Sequence, residues 1–334
     1  MSQVPGKVCV IVLNWNGWPD TLECLDSLTR LESEPESIVV VDNGSTDQSV
    51  GCILSWAEER FGHVQVLEYN AAEPEKAVVV PPFLLIRHPA NLGFSGGNNS
   101  AISWALRQGV FDCIWLLNND TTVRPDTLGR LLGCAEQTGA GVVGSTVVHD
   151  DRQEVVQCAG GCLYNPLTTV FRPYLSGTSV QEALLEKDPP DLDYIFGASL
   201  FVRGEVFARC GLLNEEYFLY YEEIDFCKRV QRAGYTLFWC PEAVVRHKGS
   251  SSAGKQESAG REKEKKVFAN YHENLSTLLF TWRFYPWLLP LALLFRFFGK
   301  FAVVMVRGDW FLIQPLLMAY FDFFMGRNRR DRFS

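Results

Sequence analysis

Short apolar runs alternate with longer amphipathic stretches through the first 140 residues of this chain. Val8–Leu13, Ile38–Val41, Phe83–Arg87 and Cys113–Leu117 read as strands buried on both faces, with Val64–Glu68 as a further candidate. Asp20–Leu31 sets Leu22, Leu25 and Leu28 on one helical face. Asp47–Arg60, Asn98–Gln108 and Pro125–Gln137 also read as helices, the last with proline in its first turn. This alternation predicts an α/β fold, a mostly parallel sheet with helices on both faces. Glu68–Pro82, with its prolines and small residues, reads as a surface insertion.

Beyond Gly141 the pattern breaks into shorter pieces. Ile195–Arg203 and Tyr235–Trp239 predict strands, Glu222–Gly234 predicts a helix, and the Ser/Gly/Lys-rich Ser250–Gly260 predicts a mobile loop. An aromatic-rich helical tail follows from about Glu262 to Arg327.

A chain of 334 residues has room for one large domain and an appendage, and its 47% hydrophobic content is that of a globular protein. The net charge of −8 excludes general nucleic-acid binding, which needs a basic surface. The average conceals an asymmetry: from Arg261 onward 12 Lys/Arg stand against 6 Asp/Glu, so the tail is +6 and the rest is −14. An acidic body with a basic, aromatic tail predicts a protein lying on an anionic membrane surface. Ten cysteines without zinc-finger spacing predict free, mostly buried thiols in a reducing cytosol. Val8–Leu13 is too short for a signal peptide core, so no leader is expected.

The polar residues that end the strands carry the candidate chemistry. Asn118, Asn119 and Asp120 follow the apolar run Ile114–Leu117, where open parallel sheets hold ligands and where hard oxygen donors suit a divalent cation with a diphosphate. Asp42, followed by Asn43-Gly44, can accept hydrogen bonds from a base or ribose; it is equally compatible with an ordinary strand-end turn. Asn91-Leu-Gly-Phe-Ser-Gly-Gly-Asn-Asn99 could bring backbone N–H groups to a phosphate, but it is neither a P-loop nor a dinucleotide fingerprint. Glu222 and Glu223 open a helix after the aromatic stretch Tyr217–Tyr221, the setting of a desolvated general base or of simple dipole complements. His247, one of five histidines, precedes the Ser/Gly-rich stretch and is a candidate ligand.

Together these segments resemble a family 2 glycosyltransferase, of the branch with bacterial rhamnosyltransferases and galactofuranosyltransferases. The matching stretches are Val10–Gly17, Val41–Asp47, Asn91–Asn99, Leu116–Thr121, Phe196–Arg203, Tyr220–Arg229 and Pro241–His247, in the family's order. The resemblance implies a GT-A fold over residues 1–260, Rossmann-like, with a nucleotide-binding half to about 140 and an acceptor half from about 141. Residues 261–334 would form the helical membrane-associating tail. It also implies a nucleotide-sugar donor, a divalent cation (Mg²⁺ or Mn²⁺) and inversion at the anomeric carbon. On that basis Asn14 and Asp42 border the nucleoside, Asn43 is a further donor-binding residue, and Asn91, Gly93, Gly97 and Asn98 lie along the donor. Asn118-Asn119-Asp120 takes the place of the DxD motif, with Asp120 and His247 as metal ligands. The first Asp of that motif is Asn118 here, which removes one charge. The base is Glu222 or Glu223, with Glu222 preferred for its spacing to His247.

The expected reaction is hexosyl transfer, with dTDP-L-rhamnose as first choice and UDP-galactofuranose or a UDP-hexose as alternatives. The acceptor is a cell-envelope glycan or a lipid-linked sugar. A sugar nucleotidyltransferase and a catalytically silent nucleotide-sugar sensor are the rivals. In the tail, the longest charge-free run, Phe284–Phe295, is short of the ~20 residues a span needs. Arg296, Lys300 and Arg307 fall within about 40° of one another on a helix. This predicts a helix lying in the interface on the cytoplasmic side of the plasma membrane, aided by Arg327, Arg329, Arg330 and Arg332.

Overall fold

The computed structural model describes residues 6–69, 79–249 and 259–327. Most of the expected insertion at 68–82, the expected loop from 250 and Arg329, Arg330 and Arg332 lie outside the described residues. Strands β1 (Val8–Asn14), β2 (Ser37–Asp42), β3 (Gln65–Glu68), β4 (Phe83–Arg87) and β5 (Cys113–Asn118) are interleaved with helices α1 (Trp18–Leu28), α2 (Ser49–Phe61) and α3 (Gly93–Gln108). They pair in parallel in the order β3-β4-β2-β1-β5, so the carboxyl ends of all five lie on one edge.

The second half adds β6 (Thr121–Val123), α4 (Thr127–Thr138), β7 (Val142–His149), β8 (Val156–Ala159), β9 (Gly161–Asn165) and β10 (Val170–Pro173). It continues with α5 (Val180–Leu184), β11 (Tyr194–Ile195), β12 (Ser199–Arg203), α6 (Gly204–Cys210), α7 (Glu222–Arg232) and β13 (Leu237–His247). The large sheet runs on from β5 through β12, β7 and β13 to β6, with β8 beside β7, and β12 enters antiparallel to both neighbours. β10, β9 and β11 form a separate small sheet.

Both faces of the sheet are covered, which explains the unbroken apolar runs. Val10, Val12 and Val40 pack with Leu25, Ile53 and Leu128 on one side. Ile11, Val39 and Val41 pack with Trp104, Phe207 and Ile224 on the other.

Three expectations change. Helix α3 begins at Gly93 rather than near Asn98, so the glycine-rich stretch is mostly helix. Gly97 permits this because any Cβ there would overlap the Leu13 side chain, so the helix lies close on β1. The cysteines are not all thiols: Cys134 on α4 and Cys240 on β13 form a disulfide with Cα atoms 6.1 Å apart, and the other eight are free. Their separation of 106 residues left no sequence pattern to read. The third change is in the tail.

The tail comprises α8 (Ala259–Phe284), α9 (Leu289–Arg307) and α10 (Ile313–Phe324). Phe280 and Phe284 of α8 belong to the main core. The basic stripe of α9 does not face outward as a unit. Arg296, buried, donates to Asn274 Oδ1 (2.9 Å), Thr169 Oγ1 (3.2 Å) and Glu273 Oε1 (3.0 Å), and Lys300 donates to Glu273 (2.8 Å). Two of the three basic groups thus dock α9 on α8, and the outward face is apolar: Leu294, Phe295, Phe298 and Val306 are exposed. Pro286–Arg307 is long and apolar enough, by length and composition, to cross a membrane.

Candidate active site

The carboxyl edge of β2, β1 and β5 presents Asp42, Asn14 and Asn118. A relay joins Asp42 and Asn14 to Asn119, the residue after Asn118: Asn119 Nδ2 donates to Thr21 Oγ1 (3.0 Å), Thr21 Oγ1 donates to Asn14 Oδ1 (2.8 Å), and Asn14 Nδ2 donates to Asp42 Oδ1 (2.9 Å). Ser45 N closes on Asp42 Oδ2 at 3.1 Å. Asn119 therefore turns toward α1, while Asn118, half-buried, has no side-chain partner among the described residues.

Asn43 and Asn91 form a clasp. Asn43 Nδ2 donates to Asn91 Oδ1 (2.9 Å) and Gly93 O (3.1 Å), and Asn43 Oδ1 accepts from Leu92 N (3.0 Å). Gly93 N donates to Asn91 Oδ1 (2.8 Å), and Phe94 N to Phe218 O (3.0 Å), so the first amides of α3 are occupied from within. Gly93 takes φ +76° with Phe218 O so close that a Cβ would overlap it. Asn98, buried, donates to Phe94 O at 2.9 Å. These positions adjoin the edge, but their hydrogen bonds are satisfied inside the protein.

Asp120 and His247 come together from β5–β6 and the end of β13, with Asp120 Oδ1 3.3 Å from His247 Nε2. Gln157 Oε1 accepts from His247 Nδ1 at 2.9 Å, which fixes the orientation of the ring with Nε2 toward Asp120. Burial pushes the Asp120 carboxyl up, but the His247 hydrogen bond and charge, with Lys248, outweigh it and hold it below the usual carboxylate range. The pair suits a divalent cation: adjacent ligands of an octahedral ion with ~2.1 Å bonds stand about 3 Å apart. No third His, Cys, Asp or Glu joins them among the described residues, so such an ion would be completed by donor oxygens and water.

Glu222 and Glu223 open α7 after two consecutive residues in the left-handed region, Tyr220 (φ +66°) and Tyr221 (φ +74°). Non-glycine residues there store strain, which concentrates at functional sites. Glu222 is 3% exposed, and its Oε2 has no partner among the described residues. Glu223 is less enclosed and lies against Gly197, where a Cβ would overlap its carboxylate. Burial raises both carboxyls, aided for Glu222 by the charge of Glu223; Glu223 is pushed up to about 7. Asp225, one turn along, is fully buried but bonded to Arg229 Nε (2.6 Å), Arg283 Nε (3.3 Å) and Tyr217 OH (3.3 Å).

The turn between β11 and β12 touches three of these parts in succession. The Phe196 ring meets that of His247 edge-on at 5.9 Å, Gly197 lies under Glu223, and Ala198 O accepts from Asn118 N at 3.1 Å. The tail packs on the segment before α7: Thr277 Oγ1 donates to Tyr221 OH and Ser276 Oγ to Leu219 O, each at 2.9 Å. Tyr220 is pushed up to about 12 by burial and then by the charges of Glu273, Glu222 and Glu223, so the α8 glutamate acts on the same tyrosine as the two α7 glutamates. Gln157, Gly197 and Glu273 were not identified from sequence; Gly197 alone had a signal, its place in Phe196-Gly-Ala-Ser199.

The doubly wound α/β domain, with the Asp120–His247 pair at its carboxyl edge, has a GT-A fold. Two solved structures share the fold. They are the mannosyltransferase PcManGT from Pyrobaculum calidifontis in complex with GDP-Man and Mn²⁺ (TM-score 0.54, 15% identity, 96% of this chain and 88% of that one) and GalNAc-T7 with UDP, GalNAc and Mn²⁺ (TM-score 0.54, 12% identity, 74% and 44%). Residues 9–157 match the family described as Glycosyl transferase family 2. Among curated relatives, an N-acetylglucosaminyl-diphospho-decaprenol L-rhamnosyltransferase of Mycobacterium tuberculosis is 26% identical over 262 residues, 74% of this chain and 77% of that protein. The galactofuranosyltransferase GlfT1 of the same organism is 27% identical over 269 residues, 79% and 76%. The chain is thus similar to family 2 glycosyltransferases over residues 9–157, and over most of its length to a rhamnosyltransferase and a galactofuranosyltransferase.

Proposed function

We propose that this chain transfers L-rhamnose from dTDP-rhamnose, with inversion, to a hydroxyl of a lipid-linked or cell-envelope glycan. UDP-galactofuranose is the second donor considered, because the GlfT1 relative aligns over a similar share of the chain. The observation that carries the reading is the Phe196–Ala198 turn, which contacts His247, Glu223 and Asn118 in three successive residues.

Asn14 and Asp42 border the nucleoside, Asn118 faces the diphosphate, and Asp120 with His247 would hold a divalent cation. When bound, the cation supplies charge stabilisation for the departing diphosphate. Gln157 fixes the ring of His247. Glu223 is the base: it receives the proton of the acceptor hydroxyl as that oxygen attacks the anomeric carbon from the face opposite the leaving group. The greater enclosure of Glu222 reverses the order of preference drawn from spacing. Tyr220 and α8 flank the acceptor.

The catalytic domain spans residues 1–260, and α9 and α10 seat the enzyme on the cytoplasmic face of the plasma membrane. Exposed Trp282, Trp287 and Trp310 suit the headgroup region, and the apolar face of α9 suits the acyl boundary.

The test is transfer from a panel of radiolabelled nucleotide sugars by full-length enzyme, with the anomeric configuration of the product read by NMR. We expect dTDP-rhamnose to be used, with inversion and with loss of turnover in EDTA. Retention, or release of pyrophosphate in place of transfer, overturns the proposal.

A further inference from the structure

Three arginines from separate parts of the chain line one cavity of about 260 Å³: Arg30 in the turn after α1, Arg124 after β6 and Arg246 on β13. None of the three guanidinium groups has a hydrogen-bond or ion-pair partner among the described residues. Thr122 also lines the cavity. The one carboxylate there, Glu23, is engaged by Lys248, whose Nζ also bonds Asp20 Oδ1 at 2.7 Å. Residues 1–260 carry −14 overall, so three convergent cations beside a single carboxylate already paired with Lys248 run against the charge of the body. Like charges around a concavity raise each other's energy and attract an anion into it.

The cavity is separate from the cation pair. β13 and β6 are antiparallel, with His247 opposite Thr121 and Arg246 opposite Thr122. Successive side chains on a strand point to opposite faces, so Arg246 turns away from the side on which His247 meets Asp120. Neither Asp120 nor His247 lines the cavity. Guanidinium forks match phosphate oxygens in geometry and charge, and the volume accommodates a phosphate or diphosphate group.

We propose that Arg30, Arg124 and Arg246 form a second anion site that binds a phosphate or diphosphate group, either a phospholipid headgroup or a soluble anion. The site does not depend on the identity of the sugar transferred.

The test compares full-length wild type with the Arg30→Gln/Arg124→Gln double variant, whose transferase activity checks that it is folded. One arm measures inorganic pyrophosphate binding by calorimetry in EDTA, which removes the divalent cation from the Asp120–His247 pair. The other measures sedimentation with phosphatidylcholine vesicles, with and without phosphatidic acid. A loss of about tenfold in pyrophosphate affinity supports the site with a soluble ligand. A loss of about threefold or more in the phosphatidic acid-dependent sedimentation supports it with a lipid headgroup. Equal behaviour of the two proteins in both arms overturns it.

Discussion

The two sides of the candidate active site are built from similar residues in opposite states. On the side proposed to border the nucleoside, Asn43, Asn91 and Asn98 direct their amides into the protein, and Asn119, Thr21, Asn14 and Asp42 form a relay. On the reaction side, Asn118 has no side-chain partner among the described residues, Glu222 Oε2 is buried without one, and Glu223 is held near neutrality. α7 repeats the contrast within one turn: Asp225 is matched by Arg229 and Arg283, while Glu222 and Glu223 are not. A polar residue whose bonds are satisfied shapes a site; one held unsatisfied at a cost of stability is available for chemistry.

The largest effect that separates the two sides is expected from Glu223→Gln. Turnover should fall about 10³-fold, within the ~10²–10⁴ range of general-base removal. Stability should move the other way. The folded carboxyl sits near 7 against an ordinary 4.5, so stability from this group is complete below about pH 4.5 and lost as pH rises to about 7. At pH 8 the variant should unfold roughly 1–3 kcal/mol later than wild type in urea, and at pH 4.5 the gain should vanish. A variant that loses both activity and stability at pH 8 would place Glu223 with the structural carboxylates.

Gly197→Ala comes next. The new Cβ displaces the Glu223 carboxylate without touching the core, so turnover should drop about 100-fold with little change in melting temperature. Unchanged kinetics would break the link through the Phe196–Ala198 turn. Gln157→Ala releases His247 Nδ1, and the Mn²⁺ concentration for half-maximal rate should rise about 10-fold or more while the rate at saturating metal recovers. On the nucleoside side, Asn43→Ala should cost roughly 2–3 kcal/mol in urea denaturation through its lost clasp, with the metal requirement unaltered.

Much of the fold was legible because each parallel strand is buried on both faces, so runs such as Val8–Leu13 and Cys113–Leu117 stand out and end at their polar residues. The start of α3 was not legible: Gly93, Gly96 and Gly97 suggest a loop, and only the closeness of Leu13 and Phe218 makes them helical. The pairing of Asp120 with His247 followed from the family resemblance, but Gln157 lies 90 residues from His247 in an unremarkable strand. The α9 stripe misled because helical spacing reveals which residues share a face, not what that face meets; Glu273 claims Arg296 and Lys300. The Cys134–Cys240 bond escaped for the same reason of distance along the chain.

The pH dependence of kcat at saturating donor, acceptor and metal tests the role of Glu223 most directly. A base that must shed its proton before it can work gives a rate that climbs tenfold per pH step at low pH and levels off above about 7. A kcat that stays flat from about pH 5 to 9, or falls as the solution becomes more alkaline, would contradict the account.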